Sequence, residues 1–365
     1  MALVLLHVRA TSFSFGSNTN LVHSNLPFGA VTVFFIFFFL PSLKQRIRKM
    51  TFKEQILQFD IPGTIVFLPS VVCLLLGLQW GGSIYPWKSG RVIALFVLSG
   101  VFGILFIIIQ IWKGEDATVP PRIFKNRNVW GAAWFAACVA SAFFVLCFYI
   151  PIWFQAIKGV SAVKSGIMNL PLVLSLVTLS IVSGGLITVI GYYTPFILAS
   201  VVVMSIGAGL LTTFKVDTGH AHWIGYQIIF GFGVGMGMQQ SLIVIQAILP
   251  SKDVAVGTAI LMFSQMLGGS LFVSVAQNVF QNQLLKNLVR LVPEFPASIV
   301  LKTGATEVQD VVPAQYIFRV LFAYNESLVQ TWYVAVAMAS LSIIGAAVLE
   351  WKSVKGKKFD GIGGA

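Results

Sequence analysis

The chain has 365 residues, of which 57% are hydrophobic, 13% aromatic and only 10% charged. A soluble domain carries about 25% charged residues, so this composition excludes a water-soluble globular protein and points to a polytopic membrane protein. The net charge of +12 does not point to nucleic acid, because the cations fall in short stretches between apolar runs, where the positive-inside rule places them.

Residues 1–24 form an atypical lead, "MALVLLHVRATSFSFGSNTN" and onward. Its apolar run is too short for a signal h-region and no basic stretch precedes it, so it reads as a fragment or as a gene model that starts in the wrong place. A helix crosses the apolar core of a bilayer in about 20 residues. By that measure about nine spans follow, at 25–43, 61–80, 91–112, 130–154, 165–190, 195–213, 224–248, 256–276 and 332–350. The expected fold is therefore all-α. Trp80, Trp87, Trp112, Trp130, Trp223, Trp332 and Trp351 fall at span ends, where interfacial aromatics gather.

Fourteen of the 24 Lys and Arg residues lie on one side of these spans. That side is read as cytoplasmic, with the C-terminal tail 351–365 on it. The opposite side carries a long outer loop, 277–331, whose first part spaces Val279, Phe280, Leu284, Leu288 and Leu291 like an amphipathic helix lying on the surface. Asn325-Glu326-Ser327 is a glycosylation sequon, a few residues from the last span and too close to it for use.

Between their end residues the nine spans contain no Asp, Glu, Lys, Arg or His. Intramembrane ionisable groups mark proton relays and ion sites. Without them there is no metal cluster for a membrane protease and no His–carboxylate pair for acyl transfer or desaturation, so no enzyme, metal or cofactor is expected. His220 and His222 in "HAH" sit on a short loop, where paired imidazoles are ordinarily solvated. Cys73, Cys138 and Cys147 lie in apolar segments and act as small hydrophobes. A cavity for an apolar solute needs aromatic walls and few polar groups. The aromatics of "AFFVLCFYIPIWFQ" and the neutral amides Asn169, Gln227, Gln239, Gln240, Gln246 and Gln265 supply both.

The run "GFGVGMGMQQ" (231–240) is not a phosphate loop: it fits G-x-G-x-x-G in no register and no Lys-Ser/Thr follows. On a helix, Gly231 and Gly235 share one face, and Gly233 and Gly237 lie on roughly the opposite one, two small-xxx-small pairs for close helix packing. The same wheel, at about 100° per residue, puts Gln227, Gln239 and Gln246 within the arc of Gly231 and Gly235, and turns Gln240 to the other side. An unpaired amide is costly in lipid, so Gln239 is expected to face a neighbouring helix or a cavity. Gly268 and Gly269 repeat the small-residue theme beside Gln265.

With these motifs, the chain resembles the fungal fourteen-helix drug:proton antiporters of the major facilitator superfamily, the toxin-efflux-like group. The matching stretches are "NLPFGAV" (25–31), "LQWGGSIYPWKSGRVI" (78–93), "SGIMNLPLVLSLVTLSIVSGGLITVIGYYTPF" (165–196), "GFGVGMGMQQ" and "GTAILMFSQMLGGSLFVSVAQNVF" (257–280). The resemblance implies an N-terminally truncated transporter. By it, 25–43 is the last helix of a truncated N-terminal bundle, 61–112 holds two central linker helices, and 130–350 is a complete C-terminal six-helix bundle.

It further implies proton-coupled efflux of small hydrophobic compounds such as toxins or drugs across the plasma membrane, with the proton-coupling residues in the missing N-terminal half. Solute contacts are assigned to Tyr149, Trp153, Asn169, Gln239 and Gln265. The alternatives are a non-transporting product or partner subunit, or another solute class such as siderophores. In "GGLITVIGYY" (184–193), Val189 and Ile190 stand where the family's loop would carry an anchoring charge.

Overall fold

The computed structural model describes Phe34, residues 60–82 and residues 84–353. The lead 1–24, the 25–43 span apart from Phe34, and tail residues 354–365 lie outside the described residues. Those described are nearly all helical, with two isolated bridges and no strand. Among the described residues, eight helical segments are long and apolar enough to cross a membrane.

The first is α1 (Ile61–Trp80), capped by Asp60, whose carboxylate accepts from the Gly63 N–H at 2.9 Å. Pro62 occupies its first turn, where no N–H is needed. It pairs with α2 (Gly90–Lys113) through Phe67 on Phe106 and a hydrogen bond from Ser70 Oγ to the Ser99 carbonyl. A 3-10 turn (Gly114–Asp116) and the one-turn α3 (Pro121–Phe124) then lead into α4 (Arg127–Lys158).

α4 is the central post of the bundle, buried over most of its length. Packed along it are α10 (Ser251–Leu291) and α13 (Ala314–Val348). Gly131 and Gly345 bring the α4 and α13 backbones together, since a Cβ at Gly131 would sit 3.2 Å from the Gly345 carbonyl oxygen. Next come α5 (Ala162–Met168) and α6 (Leu170–Ile190), then α7 (Thr194–Leu211), then α8 (His220–Met238) and α9 (Gln240–Ile248).

Two expected spans differ in detail. The 165–190 span is interrupted at Asn169 and the 224–248 span at Gln239. The first interruption follows from Pro171, which has no N–H to give the carbonyl four residues back and so drops a helical bond across Asn169. The second follows four glycines in seven residues, each about 1 kcal/mol poorer in a helix than alanine.

The expected long loop 277–331 is mostly helix. α10 runs on to Leu291 and α13 starts at Ala314, so the connection is 292–313, with the short α11 (Ala297–Lys302) and α12 (Val308–Val311) in it. The stripe of Phe280, Leu284 and Leu288 belongs to the continuing α10. Leu284 and Leu288 are buried, Phe280 packs on Tyr324, and Asn287 donates to Ser327 Oγ at 2.9 Å, so α13 and not a membrane surface covers this face. Trp332 also differs from its expected interfacial place: it is fully buried in mid-α13, against Phe214.

One end of the bundle is tied by charge. Arg122 bridges Glu115 and Asp253, each at 3.0 Å, linking the segment after α2 to α10. Arg127 pairs with Glu350 at 2.9 Å. Near the "GGLITVIGYY" loop, Val189 and Ile190 are exposed, and the buried Tyr193 holds the turn by donating its hydroxyl to the Glu350 carbonyl at 2.7 Å.

Candidate functional site: a glycine seam between broken helices

α8 lies between α6 and α7 with glycine on both flanks. A Cβ at Gly231 would strike Ser175 Oγ and the Leu172 carbonyl, and one at Gly235 the Leu176 carbonyl, all on α6. On the other flank, a Cβ at Gly233 would strike the Met204 backbone and one at Gly237 would strike Ser200 Oγ, both on α7. Gly207 returns the contact from α7 against the Phe230 backbone. Side-chain bonds bridge the same seams: Ser180 Oγ donates to the Gly235 carbonyl at 3.1 Å and Ser200 Oγ to the Gly233 carbonyl at 2.6 Å. Gly268 and Gly269 on α10 meet the Ala137 carbonyl and the Phe144 ring of α4.

Along the α6 side of the seam lie three buried amides, each with an oxygen that lacks a donor. Gln227 Nε2 donates to the Met168 carbonyl at 3.2 Å, just before the break at Asn169. Asn169 itself is 7% exposed and its Oδ1 has no partner. Gln240, just past the second break, donates to Ser183 Oγ at 3.1 Å. Burying an amide oxygen without a donor is costly, so this seam holds polar capacity that helix packing alone does not use.

The two glutamines that end the glycine run fall the opposite way from the helical-wheel expectation. Gln240 is fully buried in the seam, while Gln239 is exposed. A wheel assumes an unbroken helix. The helical bonding is interrupted at Gln239, whose backbone stays right-handed helical (φ −79°, ψ −22°) while it caps α8 and opens α9, and past it Gln240 meets α6.

The expected contact residues do not form one cluster. Gln239 is exposed and Gln265 is half-buried on α10. Tyr149 and Trp153 lie inside the bundle. Tyr149 packs on Phe280 at 5.8 Å, and Trp153 is fully buried with its indole N–H donating to Asn325 Oδ1 at 2.7 Å. Asn325 Nδ2 in turn donates to the Phe214 carbonyl at 3.1 Å. The sequon asparagine is thus a buried structural residue within α13. His220 and His222 sit in the first turn of α8 against Trp223 and Tyr226. Gln227 lies on the Gly231 flank, as its place on the helical wheel predicts, whereas the burial of Gln240 against α6 runs against that wheel.

The Major Facilitator Superfamily model matches residues 110–273, which span the seam. The chain is 56% identical over 337 residues to the MFS-type efflux pump MFS1 of Arthroderma benhamiae, an alignment covering 92% of this chain and 63% of that protein. It is 48% identical over 328 residues to the MFS acetylaranotin efflux transporter ataA of Aspergillus terreus, covering 90% of this chain and 73% of the relative. The chain belongs to the major facilitator superfamily. Among solved structures, a bacterial homologue of the human lysosomal transporter Spinster, inward-facing and unoccupied, is similar with a TM-score of 0.48 at 14% identity, covering 75% of this chain and 63% of that one. As a superfamily member with eight apolar helices of spanning length among its described residues, it is a multi-pass membrane protein. It spans 63% of the length of the first of these relatives.

Proposed function

We propose that this protein takes part in the efflux of small, largely apolar organic compounds, in exchange for protons, as a transporter and not an enzyme. The observation that carries the reading is the α8–α9 element: it is packed by backbone on both neighbours, then interrupted at Gln239, which is exposed. Discontinuous helices lining a cavity are where membrane transporters place solute sites. The efflux names of relatives at 48% to 56% identity support the same reading.

Within it, Gln239 and Gln265 contact solute directly and Asn169 offers its unpartnered Oδ1 from the first break. Tyr149 and Trp153 hold the walls behind them. The proton-coupling groups fall outside the mid-membrane stretches described above, which hold no Asp, Glu, Lys, Arg or His. The excess of Lys and Arg on one side supports a cytoplasmic C-terminus, in the plasma membrane.

The test is accumulation of a broad panel of apolar toxins and dyes in cells with and without the gene, before and after a protonophore. Lower accumulation that the protonophore abolishes is expected. Equal accumulation across the panel, with the protein at the cell surface, would overturn the efflux reading; lowered accumulation that survives the protonophore would overturn proton coupling alone.

A further inference from the structure

The connector between α2 and α4 is fastened in two places, and the two fastenings are built differently. The first joins it to the α1–α2 pair. Asp60 accepts from the Thr118 N–H at 3.2 Å and from Thr118 Oγ1 at 3.0 Å, while Gln110 Oε1 accepts from the Val119 N–H at 2.8 Å. The Asp60 side chain is 2% exposed and also takes Gln110, Gly63 and Lys113 as donors. Pulling this joint apart would strand a covered carboxylate, which is costly. It is a permanent tie.

The second fastening joins the same connector to α10 through Arg122, which presents two edges of its guanidinium. Nε and Nη2 donate to the Glu115 carboxylate at 3.0 and 3.2 Å. Nη1 and Nη2 donate to the Asp253 carboxylate at 3.0 and 3.1 Å. Glu115 belongs to the connector itself, in the 3-10 turn, whereas Asp253 stands in the first turn of α10. Glu115 is open to water and Asp253 is covered.

Each partner therefore has a second place for its charge. If the start of α10 draws away, Arg122 stays paired with Glu115, and Asp253 stays at the positive end of a 41-residue helix. Breaking an ion pair is expensive chiefly when it leaves a charge unanswered, and this one leaves neither. Further along, α10 is held by other means. Phe263 packs on Phe67 of α1 at 5.0 Å, and a Cβ at Gly268 would sit 2.7 Å from the Ala137 carbonyl oxygen of α4. Parting Arg122 from Asp253 leaves these contacts in place.

We propose that Arg122 and Asp253 form a releasable latch, with Glu115 as the resting partner of Arg122 when the latch is open. Release frees the first turns of α10 from the connector while the rest of the helix stays seated. Because α10 carries Gln265, a part for the latch in solute movement rests on the efflux proposed above; the latch itself does not.

The test is hydrogen–deuterium exchange of the purified full chain in nanodiscs with no solute present, read by mass spectrometry on peptides covering 251–262. Asp253→Asn opens the latch, and exchange there should rise about fivefold, the worth of a partly covered ion pair. Glu115→Gln removes the resting partner, so the latch should open less often and exchange should fall by a similar factor. A triad that only adds stability would instead loosen with either change. Arg122→Gln also opens the latch, and serves if Asp253→Asn does not purify as a single species. Faster exchange in Glu115→Gln, or exchange in Asp253→Asn equal to that of the natural protein, would overturn the latch. Opposite shifts in a protein that exports no compound would uphold the latch and overturn the efflux reading alone.

Discussion

Gln240 donates its Nε2 to Ser183 Oγ at 3.1 Å, joining α9 to α6 with both side chains closed off from the surface. Its chain neighbour Gln239 is exposed. The pair therefore separates stability from surface chemistry over a single residue. Gln240→Leu leaves Ser183 without its donor and should cost about 1 kcal/mol, in the range of interhelical bonds in membranes. Gln239→Leu should leave thermal stability in detergent unchanged while altering which compounds cells accumulate. Thermal unfolding of both variants, beside a compound panel, reads the split. Equal loss of stability in the two would show that the break at Gln239 is not as described.

The glycine seam makes a contrast within one helix. A Cβ at Gly233 would meet the Met204 backbone, while one at Gly225 would meet nothing within 4 Å. Gly233→Ala should destabilise by about 1–3 kcal/mol through overpacking. Gly225→Ala should be neutral or gain up to about 1 kcal/mol of helix propensity. Apparent melting temperature of the purified protein decides between them, and the two changes should move it in opposite directions or leave only the second unmoved.

Asp60, at the entrance of α1, gathers the Gln110 amide at 2.6 Å, Thr118 Oγ1 at 3.0 Å, the Gly63 N–H and the Lys113 ammonium at 3.1 Å. Burial disfavours its charge, but the bonds from Gln110, Gly63, Lys113 and Thr118 outweigh that and hold its pKa well below the usual carboxylate range. A depressed folded pKa means stability that is complete above the unfolded value of about 3.9 and is lost as pH falls further. Melting temperature should drop more steeply below about pH 4 in the natural protein than in Asp60→Asn. At neutral pH Asp60→Asn should be the less stable of the two by about 2 kcal/mol. Parallel pH profiles would show that another group carries the acid sensitivity.

Asn325 matches a glycosylation signal in sequence, yet it accepts from Trp153 and donates to the Phe214 carbonyl inside α13. Glycosidase treatment should leave the electrophoretic mobility of the expressed protein unchanged, as should Asn325→Gln. Trp153→Phe, which leaves Asn325 Oδ1 without its donor, should cost about 1–3 kcal/mol.

Much of the architecture is legible before any coordinates. Composition and span length find eight of the described helices because lipid demands long apolar runs with their backbone satisfied internally. Glycine spacing finds the two packing faces of α8, since close approach depends only on the absence of a side chain. What escapes is governed by neighbours. Whether Leu284 and Leu288 lie on a membrane surface or under α13 depends on where α13 begins, and apolar periodicity is the same in either case. Gln239 and Gln240 escape because a wheel cannot show a break in its own helix. Trp153 has the residue type of a solute contact, and only its partner Asn325, 172 positions away in the chain, shows that its polar end is engaged.

The packing of α8 also limits how this region can vary. Backbone rests on backbone at Gly231 and Gly235 on one flank and at Gly233 on the other, with no layer of side chains to compress or repack. Helices α6, α7 and α8 form a plank of set thickness. If the proposed efflux holds, differences in solute size must therefore be met at the edges of the plank and not in its middle, which has no side-chain atoms to give up.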